Sequence, residues 1–188
     1  MAQPNLAITH RMSETNYWEQ IEEAFDTVDI YGGEAAFKDS AAKYPAWKID
    51  LLAIHWTMRE ITNGGLSQYF DNPTAVLAPE AVTGFINIGA PELAEALSSA
   101  MALLGAPYPR AQEIRQQRIA ALTGAEPAET SSPLFSLIPK WVQDEVGMKS
   151  DRYSINPFAS WEKLLEDAAG KAEAACDLYA VMKSKQPA

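Results

Sequence analysis

The chain has 188 residues, of which 47% are apolar and 21% charged, as in a globular domain and unlike an acidic disordered tail. Its formal net charge of −10 disfavours direct binding to nucleic acid or anionic lipid and favours basic protein partners. The sequence contains no apolar run long enough to span a membrane, and its N-terminus lacks the pattern of a secretory signal. We therefore expect no membrane association.

The single cysteine, Cys176, excludes an intrachain disulfide, as is typical of a cytoplasmic protein. We predict a cytoplasmic location and one domain over residues 13–183. A loose N-terminus at 1–12 and a tail at 184–188 flank this domain.

Apolar residues recur at intervals of three and four along most of the chain, which is the period of a helix and not of a strand. Prolines precede many of these segments, and proline is well tolerated in the first turn of a helix. The pattern predicts an all-α, single-domain bundle of about eight helices. The predicted helices are 14–30, 33–43, 46–62, 65–71, 77–88, 91–104, 110–121, a shorter one near 134–146, and 157–183.

A corner of sequence Asn63-Gly64-Gly65 separates the third predicted helix from the fourth. Glycine adopts positive φ at little cost, so this motif predicts a tight turn with Tyr69 and Phe70 packed in the core. An alternative is a polar, ligand-binding or catalytic pocket lined by the side chains that surround the corner. Those side chains are Asn63, Gln68, Tyr69 and Asn72.

The sequence offers little catalytic chemistry. His55 lies on the apolar face of the 46–62 helix, which favours a buried, hydrogen-bonded histidine over a base or a metal ligand. Cys176 lies in a helix interior without a basic neighbour, which favours core packing. The chain contains no zinc-protease, nucleophile-elbow or phosphate-loop motif. We predict no catalytic residue, no metal and no cofactor.

Seven acidic residues and no basic residue lie between Glu14 and Glu34. Four of them share one helix face, opposite an apolar stripe that includes Trp18 and Phe25, and neighbouring carboxylates there have β-carbons about 5–6 Å apart. Two interpretations are open. Arg110, with the arginines that follow it, relieves the repulsion of a solvated face, or the face docks against a basic patch on another protein. The candidate binding residues are Glu19, Glu22, Glu23, Asp26, Asp29 and Glu34.

The run ITNGGLSQYFDNP, followed by AVTGFINIGAPELAEALSSAMALLG, resembles a bacterial domain family named for the C-terminal domain of a neisserial DNA-mimic protein. The similarity covers residues 45–122. The matching residues are Asn63, Gly64, Gly65, Gln68, Tyr69, Phe70, Asn72, Gly89 and Ala90.

The resemblance implies an all-helical domain and, by analogy, an acidic protein that occupies the DNA-binding surface of a regulator. Carboxylates would then take the place of phosphates and accept hydrogen bonds from lysine and arginine. Our leading expectation is a non-enzymatic protein that binds a basic, DNA-binding protein. The alternatives are an enzyme or small-ligand binder at the glycine corner, and an accessory module. The sequence leaves open whether the chain forms a homodimer.

Overall fold

The computed structural model describes residues 16–123 and 156–185. These two parts contain α-helices, one short 3₁₀ helix and no strand, which confirms the all-α prediction. The α-helices are α1 (Tyr17–Thr27), α2 (Gly33–Ala41), α3 (Ala46–Asp71), α4 (Ala78–Asn87), α5 (Pro91–Leu103), α6 (Gln112–Thr123), α7 (Ala159–Asp167) and α8 (Ala169–Ser184). The 3₁₀ helix, Pro73–Leu77, joins α3 to α4.

Most helix positions agree with the apolar spacing, and the proline signals mark helix starts. Pro79 and Pro91 lie in the first turns of α4 and α5. One prediction of element number was wrong, since the helix predicted over 157–183 is divided into α7 and α8 by a break at Ala168. The helices predicted at 46–62 and 65–71 are confirmed as two helical segments, which meet at a kink at Gly65 within α3. The helix predicted near 134–146 lies outside the described residues.

The long helix α3 occupies the centre of the fold. It contacts α1, α4, α6, α7, α8 and the 3₁₀ helix. Four consecutive residues of α3, Leu51 to Ile54, are buried. A helix that is buried on every side must be covered by neighbours all round, which explains why the other helices pack against α3.

Helix α1 packs on α3 through Tyr17, Ile21 and Ala24. Trp18 and Phe25, which the sequence placed in the apolar stripe, are only half-buried at its flank. The buried face is therefore rotated toward Tyr17, whose hydroxyl reaches the ring of His55 on α3.

Two side-chain acceptors hold the start of α1. The Asn16 carboxamide oxygen accepts the Trp18 N–H at 3.0 Å, as in an ordinary N-cap. The Tyr17 N–H donates to Asp177 Oδ1 at 2.8 Å, and Asp177 belongs to α8. The first described helix is thus tied to the last.

Among the helices of residues 16–123 and 156–185, none is both long enough and apolar enough to cross a membrane.

Candidate functional site

The glycine corner is a sharp kink within α3. Gly65 has φ of 79° and ψ of 177°, in a region that favours glycine. The kink frees the Leu66 N–H, which donates to Glu162 Oε2 at 2.7 Å, and the Asn156 amide donates to Glu162 Oε1 at 3.0 Å. The corner was predicted, but its carboxylate partner was not, because Glu162 lies 96 positions further along the chain.

The glycines of the motif also make room for neighbouring side chains. A Cβ added at Gly65 would lie 2.5 Å from Glu162 Oε2. A Cβ at Gly64 would lie 2.1 Å from Gln68 Oε1. Gly64 therefore leaves space for the end of a flexible side chain, whereas Gly65 allows a fixed carboxylate to approach the backbone.

The aromatic residues of the motif belong to the core. Tyr69 and Phe70 are fully buried, with ring centroids 5.2 Å apart. The Tyr69 hydroxyl lies 2.8 Å from Thr57 Oγ1, and burial raises the pKa of Tyr69 above its usual value. These rings therefore stabilise the corner from inside, as the structural interpretation predicted.

The alternative pocket at the corner is not formed as predicted. Asn63 is exposed and lines a surface cavity of about 540 Å³ with Trp56 and Glu60. The Asn72 amide instead donates to Glu60 Oε2 at 2.8 Å, and Tyr69 is fully buried. Asn63 thus borders a surface cavity whereas Tyr69 is enclosed in the core, so the four side chains predicted to line one pocket do not all line it.

The C-terminal end of α3 is capped by polar side chains of α6. Arg115 is fully buried and donates from Nε to the Phe70 carbonyl at 2.8 Å and from Nη2 to the Asn72 carbonyl at 2.7 Å. Gln112 Nε2 donates to the Asp71 carbonyl at 2.8 Å. A cation that donates to carbonyls at a helix C-terminus satisfies free acceptors and opposes the helix dipole.

The arginines near residue 110 do not neutralise the acidic face of α1. Arg110 forms a two-point ion pair with Glu80, with N–O distances of 2.7 and 2.8 Å. Arg118 donates to the Leu104 carbonyl, and Arg115 is buried at the end of α3. Arg110 Nε also lies 3.6 Å from Glu34 Oε1, so these arginines reach the acidic segment at Glu34. Among the described residues, none of them forms an ion pair with a carboxylate of α1.

The four central carboxylates of the predicted binding face are all exposed on α1. They are Glu19, Glu22, Glu23 and Asp26. Within the described residues, none of these carboxylates forms an ion pair with a lysine or an arginine. The structure therefore brings together, on one side of the helix, four carboxylates without a cationic partner in the described part of the chain. We call this surface the α1 acidic face.

Asp29 and Glu34, the other two predicted binding residues, have local partners. Asp29 Oδ1 accepts hydrogen bonds from the Tyr31 and Gly32 N–H groups at 3.0 and 2.7 Å and so closes the turn before α2. Glu34 pairs with Lys38 at 2.7 Å. The hydrogen bond from Lys38 lowers the pKa of Glu34. We therefore do not include these two residues in the α1 acidic face.

Aromatic rings lie beside this face and not opposite it, contrary to the prediction, because Trp18 and Phe25 are each one turn from Glu22. Phe25 stacks on Trp56 with centroids 5.0 Å apart and an interplanar angle of 7°, and Trp18 meets Phe25 edge-on at 4.9 Å. His55 Nδ1 lies 2.8 Å from the Tyr17 hydroxyl. Burial, helped by the charge of Arg59, lowers the pKa of His55 to about 4, so its ring is neutral at neutral pH. The predicted hydrogen-bonded histidine is confirmed.

Cys176 lies in the core and borders a cavity of about 220 Å³ that Tyr17, His55 and Glu173 also line. Burial, with the nearby charges of Asp177 and Glu173, raises the pKa of the Cys176 thiol to about 12. The thiol is therefore protonated at neutral pH and a poor nucleophile. Where the structure is described, it contains no group of three or more residues suited to hold a metal ion.

The family comparison agrees with the resemblance of the motif. The family model described as DMP19-like protein matches residues 42–145, which is more than half of the chain. The chain therefore belongs to the DMP19-like protein family, and the predicted kinship with the DNA-mimic family is confirmed. That family is not a known enzyme family. Searches of curated proteins and of solved structures gave no match.

Proposed function

We propose that this chain is an acidic protein-binding protein of the cytoplasm, a DNA mimic that occupies the DNA-binding surface of a regulator or another basic protein. The observation that carries the proposal is the α1 acidic face, whose four exposed carboxylates have no cationic partner among the described residues. Carboxylate oxygens accept hydrogen bonds from lysine and arginine much as phosphate oxygens do. Membership of the DMP19-like family is consistent with this role.

The energetics of α1 support a binding role for these charges. Within the face, Glu19 repels Glu22 and Glu23, and Asp26 repels the same two residues, at spacings of three and four. Each such pair destabilises a helix by about 0.2–0.5 kcal/mol. A partner that supplies lysine or arginine would remove this repulsion on binding. The free energy that the repulsion costs the free protein would then favour the complex.

The proposal is tested by comparing two variants that each lose four negative charges. The first removes the α1 acidic face (E19Q, E22Q, E23Q and D26N). The matched control changes exposed carboxylates on other helices (E92Q, E95Q, E113Q and E166Q). A DNA-binding protein captured by the tagged wild type would be purified, and its affinity measured by titration calorimetry with and without competing duplex DNA.

We expect the first variant to bind about thirtyfold more weakly, because four exposed ion pairs at about 0.5 kcal/mol each sum to about 2 kcal/mol. The control should bind like the wild type, duplex DNA should compete, and added salt should weaken binding. Equal affinities of the two variants, or no competition by DNA, would contradict the proposal. The first variant should also unfold at the wild-type temperature or above, because it loses repulsion.

A further inference from the structure

We infer that the partner surface contacted by α1 presents arginine side chains in preference to lysine, and that carboxylates and aromatic rings recognise them together. The rings are those of Trp18, Phe25 and Trp56, all half-buried, which we call the aromatic patch. The inference rests on the proposed function and adds the chemistry of the partner at the same face.

The aromatic patch is held in one arrangement before any partner binds. Phe25 contacts both of the other rings, stacked on Trp56 and inclined at 64° to Trp18. Trp18 and Phe25 belong to α1, whereas Trp56 belongs to α3, so the contact between the helices fixes the patch. Rings that are already ordered lose little conformational entropy on binding.

Glu22 connects the α1 acidic face to the aromatic patch. It lies one turn after Trp18 and one turn before Phe25, and residues at these spacings are neighbours on a helix surface. Glu22 is exposed beside the two half-buried rings, which contact each other. A carboxylate beside aromatic rings offers a planar guanidinium both a two-point hydrogen-bonding partner and an aromatic contact. A lysine ammonium, as a compact point charge, uses this arrangement less fully.

The residues behind the patch do not remove this preference. His55 lies against Trp18 and Phe25, with centroid distances of 5.0 and 5.8 Å, and its neutral ring adds no positive charge at neutral pH. Arg59 is exposed one turn after Trp56 and weakens the attraction for any cation. Its charge acts on arginine and lysine alike.

The inference is tested with deca-arginine and deca-lysine peptides, whose affinities for the full chain are measured by titration calorimetry at low salt. The variants Trp18→Leu and Phe25→Leu each remove one ring of the patch. The matched control is Trp47→Leu, since Trp47 is also half-buried but already carries the Lys48 ammonium 5.6 Å from its ring centroid. Thermal unfolding followed by circular dichroism verifies that each variant is folded.

We expect the ratio of arginine to lysine affinity to fall about two- to fivefold in each patch variant, the size of one exposed cation–π contact. The affinity for deca-lysine should stay near that of the wild type, and Trp47→Leu should keep the full ratio. Having two patch variants keeps the test decisive if one of them does not fold.

Two different failures can be told apart. If removing the four α1 carboxylates weakens both peptides but neither ring variant changes the ratio, the arginine inference is overturned and the proposed function stands. If binding of both peptides is insensitive to the α1 carboxylates, the proposed function fails and this inference fails with it.

Discussion

At the scale of single residues, Gly65 meets two separate demands. Its positive φ turns α3, and its missing side chain lets Glu162 reach the Leu66 N–H. Gly89 meets only the first demand, since its φ is 81° but an added Cβ would have no neighbour within 4 Å. Gly170, within α8, meets neither. These three positions therefore separate backbone strain from steric conflict.

We predict a graded loss of stability when each of these glycines is replaced by alanine. Gly65→Ala should lower the free energy of unfolding by about 2–6 kcal/mol, since its positive-φ, extended-ψ conformation costs other residues about 1–3 kcal/mol and an unsatisfied N–H adds about 1–3 kcal/mol. Gly89→Ala should lose only the strain of about 1–2 kcal/mol. Gly170→Ala should be neutral or stabilising by up to about 1 kcal/mol.

Urea denaturation of the three variants measures these differences. Equal effects of Gly65→Ala and Gly89→Ala would show that the approach of Glu162 adds nothing to the requirement for glycine.

At the scale of elements, the junction of α3 and α6 depends on Arg115, which is buried and donates to the carbonyls that end α3. Replacing a single donor of this kind leaves several buried acceptors unsatisfied. Arg118, one turn later on the same helix, has an exposed side chain and donates to a single carbonyl among the residues that the structure describes. It is therefore a matched control.

We predict that Arg115→Met lowers the free energy of unfolding by about 2–4 kcal/mol, because buried carbonyls without a partner cost about 1–3 kcal/mol each and partial relaxation recovers some of that. Arg118→Met should cost less than about 1.5 kcal/mol. Chemical denaturation of both variants tests the difference. Similar losses of unfolding free energy in the two variants would mean that the burial of Arg115 does not increase its contribution to stability.

Sequence reasoning predicted those features that depend on neighbouring residues. Apolar spacing and prolines located the helices, and the glycine pair located the corner, because local geometry decides both. The partners of the corner could not be predicted, since Glu162 and Arg115 reach it from distant segments. The buried face of α1 was misjudged because both Tyr17 and Trp18 suit a core, and only the packing of α1 on α3 and α8 decides between them. A signal for Arg115 did exist, since it precedes the buried Ile119 by one turn.

At the scale of the whole molecule, the free energy of unfolding should depend on pH through a histidine as well as through carboxylates. The pKa of His55 falls from 6.5 to about 4, mainly by burial, so the unfolded chain binds more protons than the folded chain between these pH values. Stability therefore rises with pH over this range. The contribution of His55 is fully present above about pH 6.5 and is lost as the pH falls toward 4.

We predict that the stability advantage of the wild type over His55→Gln shrinks as the pH falls from 6.5 to 4. Glutamine accepts a hydrogen bond from Tyr17 but does not titrate in this range, so the difference between the two proteins isolates the histidine. Denaturation at several pH values measures that difference, and proton NMR of the imidazole measures its pKa. An imidazole that titrates near its usual pKa, with a constant stability difference, would contradict this account.

The hydrogen bond from the Tyr17 N–H to Asp177 connects α8, the last described helix, to α1, the first. A shortened protein that stops before α8 would keep every carboxylate of the α1 acidic face and the whole glycine motif. It would nevertheless lose the hydrogen bond that holds the N-terminal turn of α1. It would also lose part of the surface against which α1 packs. The position of the acidic side chains therefore depends on both ends of the described chain, since α1 carries the carboxylates and α8 helps to hold α1 in place.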